Sequence, residues 1–261
     1  MSNKLRVFFL FLSTFLLLAP WTVPAFAATK KISGTTNVED TYMAKDNPDW
    51  GYGGSNELVV ASKYVGTYYD RALIRVKNVA SELGAGATNI TAVCSVYCWY
   101  NYIDDNIGAY RVFKPYKEGT IYADICTGTD KGVSWNDWNC LDLEWGTVGC
   151  ANASDAGSDN SGDGTDYDRK ATAEASATSV TTVNTWYSWS ISTELATGWY
   201  NGTIAENGII LVGDTTTGGY NKFYSTEYGT DATKCPFFVF TYTTGGAASK
   251  STLPLIREQR K

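Results

Sequence analysis

The chain of 261 residues contains no histidine. That absence removes Ser-His-Asp and Cys-His nucleophile schemes. It also removes the usual ligands of a zinc hydrolase. Any catalysis would rest on carboxylates, Tyr, Lys or Arg. No Cys-x-x-Cys pair occurs, which weakens a zinc reading of the cysteines. No repeat with a period of roughly 20–50 residues recurs, which argues against solenoids and propellers. There is no basic tract, and the net charge is −6. This balance argues against nucleic acid and anionic membranes as partners. Beyond the first residues, no stretch is long and apolar enough to span a bilayer.

The beginning of the chain is different. Lys4 and Arg6 precede an apolar run over 7–19, followed by Pro20, Pro24 and the small-residue pattern Ala25-Phe26-Ala27. This is the layout of a secretory signal peptide over 1–27, cut after Ala27. The apolar run is short for a membrane anchor, and two prolines interrupt its end. The expectation is a secreted or cell-surface protein with no membrane span after cleavage. Removing 1–27 leaves 19 basic against 27 acidic residues, with 18 Tyr, 8 Trp and 5 Phe. Two explanations of the aromatics stand together. Sheets favour such residues, and Tyr and Trp also suit surfaces that stack flat rings such as sugars.

Six cysteines are present: Cys94, Cys98, Cys126, Cys140, Cys150 and Cys235. Outside the cytosol an even count reads as disulfides, with about 15 connectivities open. Cys94 and Cys98 lie in one expected strand, about 13 Å apart at ~3.3 Å per residue. That separation is too wide for a bond between them, so each is expected to pair elsewhere.

Short β-rich runs separated by Gly, Asn, Asp and Ser predict strands over 57–61, 72–76, 90–99, 109–113, 185–191, 208–213, 222–227 and 236–243. The pattern is that of an all-β sandwich or barrel, one domain over 28–245. Ile90, Ala92, Cys94, Val96 and Cys98 share one face of their strand, and Thr91, Ser95 and Trp99 the other. Phe238, Phe240 and Tyr242 oppose Phe237 and Val239. Residues 194–200 predict a short helix. Residues 152–168 read as a long polar loop, and 246–261 as a flexible basic tail.

Three groups carry candidate chemistry. Asp155, Asp159, Asp163, Asp166 and Asp168 offer hard oxygen ligands in the loop, and calcium is the cation such a loop suits. Their spacing follows no EF-hand pattern, so a solvated acidic loop stands beside that reading. Arg71 and Arg75 share a strand face and could fork onto uronate carboxylates. The alternative is that they pair with buried acids such as Glu227 or Asp168. Trp135, Trp138, Trp145, Trp186, Trp189 and Trp199 form the aromatic set, with Trp138 the expected stacking residue and Trp135 beside it. Sequons occur at Asn89, Asn152 and Asn201 and by themselves locate nothing.

A series of short motifs runs along the chain. Asp40-Thr41-Tyr42, Asn47-Pro48-Asp49 and Tyr52-Gly53-Gly54-Ser55 come first, then Leu58-Val59-Val60 and Arg71-Ala72-Leu73-Ile74-Arg75-Val76. Tyr110-Arg111-Val112, Tyr116-Lys117-Glu118-Gly119-Thr120, Val133-Ser134-Trp135-Asn136 and Trp145-Gly146-Thr147 follow. Trp186-Tyr187-Ser188-Trp189, Trp199-Tyr200-Asn201-Gly202 and Phe223-Tyr224-Ser225-Thr226-Glu227 complete it. In order and spacing, over about residues 35–244, the series resembles the DNRLRE-type domain, also classed as carbohydrate-binding module family 96 and related to disaggregatases. The resemblance implies a jelly-roll-like antiparallel β-sandwich and noncatalytic polysaccharide binding. It also places Trp135, Trp145 and Trp199 at family positions. Val76 departs from the family's usual Phe, and the cysteines and the stretch around 140–150 look specific to this chain.

The leading expectation is a secreted, noncatalytic polysaccharide-binding module, its ligand a uronic-acid or other extracellular glycan. A structural subunit or adhesin of a surface layer, capable of self-assembly, is the alternative. A lyase or hydrolase acting through carboxylates or Tyr is the third, although no spacing picks out a catalytic pair.

Overall fold

The computed structural model describes residues 25–64, 68–126, 132–140, 142–155, 167–216 and 218–244. Its strands are β1 (Phe26–Ser33), β2 (Val38–Ala44), β3 (Trp50–Gly51), β4 (Glu57–Tyr64), β5 (Tyr68–Val76), β6 (Ala87–Ile103), β7 (Asp105–Arg111), β8 (Asp124–Ile125), β9 (Asp137–Asn139), β10 (Leu143–Glu144), β11 (Ala175–Val180), β12 (Thr185–Ile191), β13 (Ile209–Gly213), β14 (Gly219–Tyr224) and β15 (Phe237–Thr244). Two short helices, α1 (Val79–Leu83) and α2 (Thr193–Asn201), complete the described elements with a 3₁₀ turn over Ala232–Lys234. Eleven strands form one curled sheet in the order β1-β15-β6-β14-β4-β5-β13-β7-β11, with β12 also paired to β6 and β2 to β5. All its pairings are antiparallel. The pairs β3–β8 and β9–β10 stand apart from it.

The long strand β6 carries the curl. Its first part pairs β15 and β12, and from Cys98 onward it pairs β14 through two irregularities of register. Bulges of this kind bend a strand and sharpen its twist. The predicted alternation holds in the first part: Ile90, Ala92, Cys94, Val96 and Cys98 are all buried. They join Phe238, Phe240, Phe223, Trp189, Leu58, Ile74 and Leu211 in the larger of two hydrophobic clusters. Each large apolar side chain buried there contributes about 1.5–3 kcal/mol. Trp189 also donates its indole N–H to the Ile107 carbonyl at 2.7 Å, so its polar atom is satisfied inside the core.

The expected helix forms one residue longer at each end. Ser192 caps it by accepting from the Leu195 amide at 3.2 Å, and Gly202, with φ 72°, ends it. Leu195, Ala196 and Trp199 turn into the larger cluster.

The second cluster lies on the opposite face of β2, β5 and β13. Met43, Leu73 and Ile210 point outward there and are covered by Val112, Tyr116, Val133, Trp135, Trp145 and Cys150. The cover, residues 113–152, has little ladder of its own. Gly149 shows how tightly it closes. Its φ is +76°, and a Cβ there would fall 2.5 Å from the Trp135 ring.

Three outcomes differ from the sequence reading. β1, β2 and β11 were not among the expected strands. Phe26 and Ala27, which the expected cleavage removes, pair with Thr244 and Thr243 at the outer end of β1, leaving Ala28–Ser33 in the ladder. Finally, the six cysteines expected in disulfides are all buried, and none is bonded to another in this structure. Their separation explains most of this: Cys94 and Cys98 lie in the larger cluster, and Cys150 lies in the second. The tail over 246–261, and residues 156–166 of the long loop, lie outside the described residues.

Candidate functional site

The two arginines of β5 share a face, as their spacing requires, but their surroundings differ. Arg75 lies opposite Glu39 in the β2–β5 register. Its Nε donates to the Glu39 carboxylate at 2.6 Å and its Nη2 to the same oxygen. Lys77 Nζ donates to the other oxygen at 2.6 Å, and these two cations hold the Glu39 carboxyl below its usual range against the cost of burial. The partner is therefore Glu39, where the sequence suggested Glu227 or Asp168. Arg75 also lies 5.0 Å from the centre of the buried Tyr116 ring. This arginine is tied into the sheet.

Arg71 has no such partner. It donates through Nη1 to the Gly149 carbonyl and lies 5.2 Å from the Trp135 ring centre. Asp168 is buried close by, but its carboxylate accepts from the Gly146, Thr147 and Asn152 amides at 2.7–3.1 Å. Arg71 lines a groove of about 430 Å³ with Arg169, Tyr110, Gly108 and Asn106. Arg169 lies 4.5 Å from the Tyr110 ring centre and donates to the Cys150 and Lys170 carbonyls. Tyr110 lies against Gly108, where a Cβ would come within 2.9 Å of the ring. Two guanidiniums thus face one groove, and neither is in an ion pair among the described residues. Burial, with a smaller contribution from Arg169, works against the charge of Arg71.

Trp135 is buried in the second cluster, and Trp138 packs half-buried against it. The exposed side of the aromatic set lies elsewhere. On the outward face of β6, Tyr97 meets Trp186 of β12 edge to face at 5.4 Å and stacks with Tyr224 of β14 at 6.0 Å. Trp99 also lies nearly parallel to Tyr224 at 5.9 Å, and Tyr228 stacks on Tyr224 at 3.7 Å. Phe237 of β15 extends the row, 4.8 Å from Trp186. All six rings are half-buried. Three lysines cap them: Lys31 lies 3.9 Å from Phe237, Lys234 5.3 Å from Tyr97, and Lys222 5.7 Å from Trp99. Trp99 and Tyr224 border a hollow of about 200 Å³ with Asn56 and Glu57. Among the described residues, the Trp99 indole N–H has no hydrogen-bond partner. Alternation along β6 pointed Trp99 outward, but the band joins residues from four strands and one turn, which only the strand order brings together.

Two carboxyl sites complete the inventory. Asp40, Glu118 and Glu227 place oxygens within 4.8 Å of one another. Glu118 reaches β2 from the cover and accepts from the Asp40 amide at 3.0 Å, while the Asp40 carboxylate accepts from the Thr226 amide at 3.0 Å. Burial and then mutual repulsion push Asp40 well above its ordinary range, and burial first pushes Glu118 up to about 8 and Glu227 upward. No residue pattern pointed to this group, whose members lie far apart along the chain. Separately, a cleft of about 330 Å³ holds Tyr42, Tyr52, Asp70, Glu57 and Lys222. Burial pushes Asp70 up to about 7, and Glu57 accepts from Lys222 at 2.7 Å.

Of the loop carboxylates, Asp155 is exposed and accepts from the Thr172 amide and hydroxyl, both at 2.8 Å. Asp159, Asp163 and Asp166 lie outside the described residues. Among the described residues, no helix is long and apolar enough to cross a membrane. No protein-family model matches the chain, and a search of curated proteins finds no match.

Proposed function

We propose that the chain is a secreted, noncatalytic polysaccharide-binding module, a jelly-roll-like sandwich whose outer face holds the glycan. The aromatic band of Trp186, Tyr97, Trp99, Tyr224, Tyr228 and Phe237 carries this reading. Half-exposed rings in a row match the flat apolar faces of successive sugars, and their polar tips suit a wet surface. Lys31, Lys222 and Lys234 at the rim, in an acidic protein, favour a glycan bearing carboxylates. The Arg71–Arg169 groove offers the same preference through forked donors. The signal-like start and the motif series add support from the sequence.

A glycan array and affinity electrophoresis with the mature chain test this. Retardation by a polyuronate, weakened in Trp99→Ala and Trp186→Ala variants that melt normally, is expected. Unchanged migration in every polymer overturns it, and self-association without glycan binding favours the structural subunit.

One observation favours a second reading, catalysis through carboxylates. Asp70, pushed up to about 7, shares a cleft with Glu57, which is ion-paired to Lys222. Carboxyls whose environments differ in this way suit acid and base roles. Release of oligosaccharides from a bound polymer, abolished in Asp70→Asn, would establish it.

A further inference from the structure

We propose that Cys126 and Cys140 form a disulfide that staples the cover over the second hydrophobic cluster. The two cysteines meet in the structure. Cys140 Sγ donates to the Cys126 carbonyl oxygen at 3.8 Å, and each thiol is among the groups that shift the other's titration. Both are buried, at 1% and 0% exposure. Gly51 leaves room for the sulfur, since a Cβ there would lie 3.2 Å from Cys126 Sγ. Among the described residues, the other four cysteines make no such contact with one another. Cys98 donates to the Tyr100 carbonyl, Cys235 to those of Thr226 and Tyr228, and Cys94 and Cys150 lie in different clusters.

The position gives the bond a purpose. Cys126 directly follows β8, which among the described residues pairs only with β3, and Cys140 directly follows β9, which pairs there only with β10. These ladders are two or three residues long and separate from the main sheet. Cross-linking the strand ends joins the two patches and closes a loop of about 15 residues. Burial raises both thiols above their ordinary range, so neither is reactive once the cover has closed. The bond therefore forms during folding. One thiol loses its proton and attacks the disulfide of a carrier, giving a mixed disulfide and a carrier thiol. The second thiolate attacks the protein sulfur of that mixed bond and releases the second carrier thiol. Two protons and two electrons pass from the protein to the carrier.

The test uses the full chain refolded in a buffer of reduced and oxidised glutathione, so it does not depend on export. Remaining thiols are trapped with iodoacetamide, and the digest is analysed by mass spectrometry. A single species joining the Cys126 and Cys140 peptides, two hydrogens lighter than their sum and separated by reductant, is expected. Full alkylation of both, or a link from either to another cysteine, overturns the proposal. The cross-linked protein should melt about 5–10 °C higher than the same protein in dithiothreitol. A Cys126→Ala/Cys140→Ala variant should lose that response to reductant. A response of the same size in the variant also overturns the proposal.

Discussion

Two outward faces of one curled sheet have opposite fates. Over β2, β5 and β13 the chain lays a cover, and Trp135 and Trp145 become core residues at 6% and 4% exposure. Over β12, β6, β14 and β15 no described segment covers the face fully, and Trp186, Trp99 and their neighbours stay half-exposed. The residue type is the same in both places. What decides between core and platform is whether another stretch of chain excludes water. The arginines of β5 repeat the lesson on a smaller scale. Arg75, opposite Glu39, is a structural ion pair, whereas Arg71, at the groove, is in no ion pair among the described residues.

The largest effect that could break this comparison is in stability. Trp135→Ala should cost about 3–5 kcal/mol, because it empties a closed site. Gly149→Ala should be of comparable severity, since its φ of +76° and its 2.5 Å approach to the Trp135 ring both oppose a Cβ. Trp186→Ala on the open face should cost about 1 kcal/mol. Urea unfolding of the three variants decides it, and equal losses for Trp135→Ala and Trp186→Ala would remove the distinction.

Sequence pattern reached the local part of this picture. β12 spans 185–191 as expected, the buried face of β6 follows strict alternation, and the helix after Ser192 carries its cap in the sequence. β2 was missed because VEDTYMA is buried on both faces despite its acids, which erases the alternation. β11, ASATSV, is built of small residues that read as turn. The site was legible only in fragments. Arg71 and Arg75 were placed on one face correctly, but Glu39 pairs with Arg75 through register, not proximity in sequence. Trp138 stood out for its polar neighbours, yet it packs against a cluster that includes Met43, Leu73 and Ile210, all distant in sequence. The band and the carboxyl group both draw together residues from separate parts of the chain, as the bond from Asp40 N to Glu118 over 78 residues illustrates.

A medium-sized effect is expected in pH dependence, and it should act on the cover more than on the band. Glu118, raised from 4.5 to about 8, holds its proton in the folded chain at pH values where the unfolded chain has lost it. Asp40 and Glu227 are raised in the same direction. The stabilisation is therefore fully present below about pH 4.5 and is lost as pH rises through 8. The loss should be on the order of 2 kcal/mol, reduced because water reaches Glu118. Melting midpoints between pH 5 and 9 should fall, and Glu118→Gln, which keeps an acceptor for the Asp40 amide, should flatten the fall. A midpoint that rises over this range would contradict the reading. Hydrogen exchange should locate the loosening in 113–120 and 225–228, with β6 and β12 unaffected.

The smallest effect in free energy is the one closest to function. Truncating one ring of the band should weaken glycan binding about tenfold, near 1.4 kcal/mol, while leaving the fold intact. Trp99→Ala and Trp186→Ala should do so at any ionic strength, because stacking does not depend on charge. Arg71→Met in the groove should behave differently: any loss it causes should concern acidic glycans and shrink as salt is raised. Titration of a neutral and an acidic polymer against these variants at low and high salt separates the two surfaces. If Arg71→Met weakens binding to both polymers equally, the groove acts by shape and the lysines at the band are left to select charge. If the tryptophan variants bind like the parent, the open face is simply a sheet surface, and the covered face with its groove becomes the side where the glycan belongs.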